Sequence, residues 1–283
     1  MSGVIFAFIV WLTVREPPRG YADGPNTSTG ENTGISATFH LLLTKRSYWY
    51  MTAGASLVAM VGYGLVSFQA PMMQRLHGMA PGEFALRFGV PLSVAGALGT
   101  LLAGYVIHAL NTRTIRVVAI WPAITMALAA PLYILAFNQP GDRLDVALVL
   151  WLLAALLHYG YLGAQYTIGQ GVVPASSRAS SIAIMLFIIA LVGNGLGPQI
   201  VGLMSDGFMN AALEARGVAD SLSVTACNPK AIALLATEQQ AICSAVYAEG
   251  LQNSMSLTAL LMLPAAWFFY LSSRTLDREM LAR

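Results

Sequence analysis

Long uncharged stretches dominate the hydrophobic pattern of this chain. Six of them lack Asp, Glu, Lys and Arg and are rich in Leu, Ala, Val, Ile and Gly: 47–74, 88–112, 117–141, 146–177, 179–205 and 250–273. Each exceeds the roughly 20 residues that a helix needs to cross about 30 Å of hydrocarbon, whereas buried strands run about 4–8 residues. Because a membrane-spanning backbone must satisfy its own hydrogen bonds, the pattern predicts an all-α polytopic membrane protein.

The predicted core is a six-helix transmembrane bundle over residues 47–273. Residues 1–14 are interpreted as the end of a truncated transmembrane helix, since this apolar run is short for a span and lacks the charged start of a signal peptide. Residues 15–46 are a predicted flexible cytoplasmic linker, because they contain a stretch rich in Pro, Gly and Thr. Residues 274–283 are a predicted cytoplasmic tail. The expected transmembrane helices are 47–74, 88–110, 117–138, 146–169, 179–204 and 251–273. The outward loop at 205–250 is expected to contain helical stretches around 208–216 and 229–248.

Composition excludes a soluble protein. The 283 residues are 57% hydrophobic and 10% charged, against about half apolar and a quarter charged in soluble domains. The formal net charge of +2 comes from dispersed basic residues, so no nucleic-acid partner is expected. The lipid bilayer is the predicted surrounding of the bundle.

The positions of Lys and Arg predict the orientation. Taking the connections alternately, ten of the basic residues fall on one side and five on the other. The positive-inside rule therefore places the 15–46 linker and the C-terminus in the cytoplasm, in a multi-pass protein of the inner or plasma membrane. The outward loop then contains both cysteines, Cys227 and Cys243, for which a disulfide and two unpaired thiols both stay open.

Enzyme chemistry finds no support in the sequence. The four histidines lie in different segments without metal-ligand spacing, and no Gly-rich phosphate loop follows a strand. No acidic residue falls in the middle of a predicted span, so paired-carboxylate catalysis within the membrane is excluded. We therefore expect no catalytic residue, no metal and no cofactor.

Four groups of residues along the chain carry a family resemblance: 13–20 (TVREPPRG); 61–64 (VGYG) followed by Pro71, Arg75 and Glu83; Pro174 with Arg178; and 193–198 (GNGLGP) through Asp206. Together they resemble the C-terminal half of major facilitator superfamily transporters, in particular the spinster-like branch. The first group is similar to the end of the sixth helix of that family, and the second to its seventh helix and outer loop. The last resembles its eleventh helix, and Pro174 with Arg178 resembles the turn before it.

Two departures from the family pattern matter. The chain matches only the second half of the family's twelve helices. The family's loop after the eighth helix usually reads Gly-x-x-x-Asp-Arg, but Gly104 is followed here by His108 where the acid is expected. A charge-pair lock of the inward gate at that position is therefore doubtful.

The resemblance implies a secondary transporter that moves a small organic or amphiphilic, lipid-like solute by alternating access, with a proton as a candidate coupling ion. Such transporters bind near the bilayer midplane, where polar side chains are costly. His158 is the first candidate, because Tyr161 and Gln165 share its face at 100° per residue. Tyr63, Gln69 and Asn194 complete the predicted substrate-binding set. A structural role in helix packing is the alternative for each of them.

A second set of residues is predicted to act in gating or packing: Gly104, His108, Arg178, Gly197, Pro198 and Asp206. Gly197 lies four residues after Gly193, a spacing that lets helices approach closely. Pro198 removes a backbone hydrogen bond and is expected to bend its helix. The rival to transport is a truncated, non-transporting membrane protein, or a half-transporter that needs the missing N-terminal half or a complementary chain as its partner.

Overall fold

The computed structural model describes residues 2–14, 34–111, 114–227 and 231–281, and the predicted all-α class is confirmed there, since these ranges contain helices and no strand. Within these ranges, six segments are long and apolar enough to cross a membrane. The helices are α1 (Ser2–Thr13), α2 (Ile35–Leu43), α3 (Arg46–His77), α4 (Pro81–Phe84), α5 (Val90–Asn111), α6 (Val117–Phe137), α7 (Leu144–His158), α8 (Leu162–Gly171), α9 (Arg178–Ala215), α10 (Thr237–Leu260) and α11 (Met262–Glu279).

Three spans are built from more than one helix. A π-helical turn, Ala85–Gly89, joins α4 to α5, and a 3-10 turn, Tyr159–Tyr161, joins α7 to α8. Between α10 and α11 the helix is interrupted at Leu261. Pro264 explains this interruption, because it has no N–H for the carbonyl four residues earlier.

Helix α3 is the centre of the bundle and packs against α9, α10 and α11. Its contact with α9 is made backbone to backbone. A Cβ on Gly197 would lie 2.5 Å from the Met60 carbonyl oxygen, and one on Gly193 would lie 2.7 Å from the Ala59 Cβ. Small residues thus let these two helices approach as the glycine spacing predicts.

The helices differ from the expected boundaries at their outer and inner ends. Helix α2 lies within the predicted 15–46 linker, of which 15–33 is outside the described residues. Helix α9 continues beyond 204 to Ala215, and α11 beyond 273 to Glu279. Hydropathy marks where a chain leaves hydrocarbon, but a helix continues into water until its backbone is capped, here by Gly217 at φ 67° after α9.

The predicted outward loop, 205–250, therefore contains ordered structure with a core of its own. The end of α9 and the start of α10 pack around Leu213, Leu222 and Val246. A disulfide joins Cys227 to Cys243 inside this core. We call residues 209–247 the outer subdomain.

At the opposite end of the bundle, the end of α11 is bonded to the start of α3. The Glu279 carboxylate accepts hydrogen bonds from the backbone N–H groups of Arg46 (3.0 Å) and Ser47 (2.8 Å), and from the Ser47 hydroxyl (2.7 Å). An acid at a helix N-terminus satisfies free donors and interacts favourably with the helix dipole. Asp277 also pairs with Arg116, before α6, so the predicted tail 274–283 is largely part of the bundle.

Candidate functional site

A cleft of about 240 Å³ lies between α3, α5 and α7 and extends from Gly62 in the middle of α3 to Gly89 before α5. Five polar side chains line it: Gln69, Ser93, Tyr133, His158 and Tyr159. Its apolar walls are formed by Leu65, Val66, Leu92, Trp151 and Ala155, together with Gly62 and Gly89. A mostly apolar cleft with a few convergent polar groups is the usual form of a small-molecule site.

His158 connects three helices at the bottom of this cleft. It ends α7, is 4% exposed, and its Nδ1 lies 3.1 Å from the Tyr133 hydroxyl of α6. Its Nε2 faces α3 at Gly62, where an added Cβ would lie 3.1 Å away. The Val58 carbonyl of α3 is a further hydrogen-bonding neighbour of the ring. His158 thus makes structural contacts and also lines the cleft, so its role in substrate binding stays a prediction.

Glycines fix the positions of the two aromatic rings of the cleft. Gly62 leaves room for the His158 ring, and Gly96 does the same for Tyr159, whose ring an added Cβ would meet at 2.8 Å. The His158 and Tyr159 rings stack with centroids 5.2 Å apart. Larger residues at either glycine would therefore move a ring that lines the cleft.

Tyrosines extend the polar surface beyond the cleft. Tyr63 of α3 is 47% exposed and Tyr166 of α8 is 40% exposed. Tyr63 lies near the middle of α3 and Tyr159 near the middle of the α7–α8 span. Hydroxyl groups at this depth in a membrane protein meet a ligand, a cavity or another helix rather than lipid.

The predicted stripe of His158, Tyr161 and Gln165 crosses the 3-10 turn at Tyr159–Tyr161, where the α-helical register changes. The His158 and Tyr161 rings stay close across this turn, with centroids 6.4 Å apart. Tyr161 and Gln165 are 7% and 3% exposed and point into the bundle instead of lining the cleft. Tyr161 stacks towards Phe269 of α11, with centroids 6.3 Å apart, and the Gln165 Oε1 is buried without a hydrogen-bond partner.

Asn194 also lies away from the cleft. It is exposed near the middle of α9, next to the close crossing at Gly193 and Gly197. Pro198 lies inside the same helix and leaves the Asn194 carbonyl without its usual helical donor. Of the six predicted binding residues, the cleft itself brings together Gln69 and His158, and Tyr63 stands beside it.

The predicted gating residues are spread over the bundle. Gly104 and His108 are exposed on α5, and a Cβ on Gly104 would meet nothing within 4 Å, so this glycine makes no close helix contact of the kind seen at Gly197. Arg178 begins α9 and lines a second cavity, of about 460 Å³, with Tyr166 and Gln170. Asp206 is exposed on the outer half of α9.

The sequence did not indicate two residues that shape the cleft, Tyr133 and Ser93, and it indicated Gly62 only as part of the VGYG motif. Tyr133 and Ser93 are hydroxyl-bearing residues in apolar spans, the signal that selected Tyr63. Which of many such residues converge depends on how the helices are rotated. No group of three His, Cys, Asp or Glu side chains that could hold a metal ion occurs in the described part of the chain.

Similarity to known proteins extends over most of this chain. No protein-family model matches the chain. It is 25% identical to the protein spinster of Drosophila melanogaster over 217 residues, which is 73% of this chain and 35% of that protein. Two crystal structures of a bacterial homolog of the human lysosomal transporter Spinster, both inward-facing, are also similar. The unoccupied form matches at 38% identity and a TM-score of 0.82, and the occupied form at 38% and 0.75.

These matches cover 99% of this chain but only 58% and 57% of the two solved chains. The chain thus spans little more than half the length of the structures it matches, and about a third of the curated relative. The similarity extends over the whole bundle described above, including the cleft.

Proposed function

We propose that the chain belongs to the spinster-like branch of the major facilitator superfamily, of which it spans part, and that it forms the C-terminal six-helix half of a secondary transporter. It moves a small organic or amphiphilic, lipid-like solute by alternating access. The cleft carries this proposal, because it combines apolar walls with His158 and Tyr159 near the middle of one span and with Gln69 of a second span. Transporters of this architecture bind their solutes at that depth, between two repeats.

The exposed polar residues support a second helical body opposite this one. Adjacent helices α3, α8 and α9 expose Tyr63, Tyr166, Gln170, Asn194 and Gln199. Hydrocarbon cannot hydrogen-bond these groups, so a face that carries them is stable against protein or a water-filled cavity. The partner is a complementary six-helix half, and the substrate occupies the space between the two.

The same reasoning defines the membrane arrangement. Ser47 and Glu279 lie at the end of the bundle that carries most Lys and Arg residues, which we assign to the cytoplasm of a cell or inner membrane. The outer subdomain with its disulfide then lies on the oxidising side. A proton is the candidate coupling ion, since the His158 imidazole is the titratable ring of the cleft.

The rival proposal is a non-transporting membrane protein, or a half that assembles with a separately encoded chain. The DNA immediately upstream distinguishes them. An in-frame continuation with five or six further helices favours one long transporter. A separately encoded first half favours assembly. If the upstream DNA encodes neither, the non-transporting protein is favoured.

The experiment that tests transport compares cleft variants in vesicles containing the complete assembly. Tyr63→Ala and His158→Ala should each lower uptake of a fluorescent single-chain lipid analogue at least tenfold, at unchanged membrane content. The control is Tyr270→Ala, a tyrosine of similar exposure (39% against 47%) on α11, away from the cleft. Wild-type uptake in both cleft variants would remove these residues from the site, and no uptake by the wild type would favour the rival.

A further inference from the structure

The contacts of His158 fix the direction of one hydrogen bond in the cleft between α3, α5 and α7. The Nδ1 atom lies 3.1 Å from the Tyr133 hydroxyl. The Nε2 atom faces α3, where the Val58 carbonyl, one turn before Gly62, is a hydrogen-bonding neighbour of the ring. A carbonyl oxygen accepts hydrogen bonds and does not donate them. In the neutral imidazole the hydrogen therefore lies on Nε2, and Nδ1 accepts from the Tyr133 hydroxyl.

Two hydroxyl groups of the cleft thus donate their hydrogens to the protein itself. Tyr133 donates to His158, and the Ser93 hydroxyl donates to the Gly89 carbonyl at 2.9 Å. A hydroxyl group has one hydrogen to donate and two lone pairs to accept with, so both oxygens remain acceptors. Both side chains line the cleft. The cleft therefore offers these two oxygens to a donor and not to another acceptor.

The cleft also lacks charge. Within the described part of the chain, no Asp, Glu, Lys or Arg side chain lines it. Its other polar groups, Gln69 and Tyr159, are neutral and can each donate or accept. A charged group that leaves water for such a cleft loses its hydration without gaining a counter-ion, which is costly. A carboxylate would in addition meet the lone pairs of Tyr133 and Ser93.

We propose that the cleft binds an uncharged hydroxyl group of the solute, which donates its hydrogen to the Tyr133 or the Ser93 oxygen. The inference rests on the proposed function, since it names the chemical group that the same cleft takes. His158 is a positioning residue in this scheme, because it holds the Tyr133 hydroxyl as an acceptor towards the cleft. An anionic part of the same solute lies outside this cleft.

Fluorine NMR titration of the full chain in nanodiscs tests the proposal with four small probes, and empty nanodiscs correct for partition into lipid. The probes are para-fluorobenzyl alcohol, its methyl ether, para-fluorobenzylamine and para-fluorobenzoate. We expect the dissociation constant of the alcohol to be about fivefold below that of the ether, the ratio that one hydrogen bond provides. The ammonium and carboxylate probes should bind about tenfold more weakly than the alcohol.

A pair of matched double variants identifies the acceptors. Tyr133→Phe/Ser93→Ala should bind the alcohol and the ether equally. Tyr50→Phe/Ser67→Ala should keep the preference of the wild type, because Ser67 donates to the Tyr63 carbonyl as Ser93 does to Gly89, but neither Tyr50 nor Ser67 lines the cleft. An unchanged preference in the first double variant would overturn the assignment of the two acceptors.

Nitrogen NMR of labelled histidine side chains tests the positioning role without any ligand. The His158 signals, assigned by their loss in His158→Gln, should show the hydrogen on Nε2, and a hydrogen on Nδ1 would overturn the scheme. If the wild type binds the alcohol no more tightly than the ether, or binds either charged probe more tightly, this inference fails and the proposed function stands. If no probe binds, the cleft is not the binding site of the proposed function, and the inference fails with it.

Discussion

The crossing of α3 and α9 provides the sharpest test of the packing, through Gly197→Ala with Gly195→Ala as its matched control. A Cβ on Gly197 would lie 2.5 Å from the Met60 carbonyl oxygen and 3.1 Å from the Gly64 nitrogen. Both are backbone atoms, so the two helices must separate to admit it. A Cβ on Gly195, two residues away on the same helix, would meet nothing within 4 Å.

The control isolates the packing contribution. Both substitutions replace glycine in a helix interior, and each gains about 1 kcal/mol of helix propensity. Overpacking costs about 1–3 kcal/mol and applies to Gly197 alone. The free energy of unfolding of Gly197→Ala should therefore be about 1–3 kcal/mol below that of Gly195→Ala.

The assay is thermal unfolding in detergent, followed by the monodisperse fraction left after heating. At about 2 °C per kcal/mol for a chain of this size, the Tm of Gly197→Ala should be about 2–6 °C below that of the control. Gly193→Ala, which meets the Ala59 Cβ at 2.7 Å, should also fall below the control. Equal Tm values for Gly197→Ala and Gly195→Ala would refute the backbone contact between α3 and α9.

Three further variants test contacts at the two ends and in the cleft. Glu279→Ala removes three hydrogen bonds at the start of α3 and should lower the free energy of unfolding by about 1–2 kcal/mol, measured by the same heating assay. Cys243→Ser opens the 16-residue separation to Cys227 and should destabilise the outer subdomain by about 3 kcal/mol, seen as faster proteolysis there, while the wild type shows no free thiol on labelling. Tyr133→Phe removes the partner of His158 Nδ1 and should lower the free energy of unfolding by about 1 kcal/mol.

Each of these three predictions has a control variant or an outcome that would contradict it. Arg278→Ala, beside Glu279 but exposed, should leave the Tm unchanged. Labelled thiols in the exported wild-type chain would contradict the disulfide. Tyr50→Phe should have no effect on the Tm, and an equal loss in this variant would mean that the Tyr133 hydroxyl makes no specific contact with His158.

The cleft shows where prediction from the sequence reached its limit. His158, Gln69 and Tyr63 stand out because a polar side chain is conspicuous in a long apolar run. The face shared by His158, Tyr161 and Gln165 was counted on an uninterrupted helix, whereas the structure has a 3-10 turn after His158 and the latter two residues do not line the cleft. No local sequence pattern announces this turn, because it depends on the packing of Gly160 and its neighbours.

The helix ends also show which features the sequence predicts and which only the structure reveals. The sequence identified the apolar spans and the disposition of basic residues, since both follow from the solvation of side chains one at a time. The predicted membrane spans end at 204 and 273, whereas α9 and α11 continue to Ala215 and Glu279. Gly217 ends the first of these extensions, and the hydrogen bonds between Glu279 and the start of α3 hold the second. The bond between Ser47 and Glu279 joins residues 232 positions apart, so no local pattern reveals it.

The amino-acid sequence by itself indicated that hydrocarbon surrounds the bundle, how many spans cross it, and which family it resembles. These depend on transfer free energies and on short motifs, which are properties of consecutive residues. The tertiary structure decided which polar groups converge, which glycines bring helices into contact, and which tyrosines face outwards. Those outcomes depend on the rotation and crossing of helices that are distant in the chain, and packing of the whole bundle sets them.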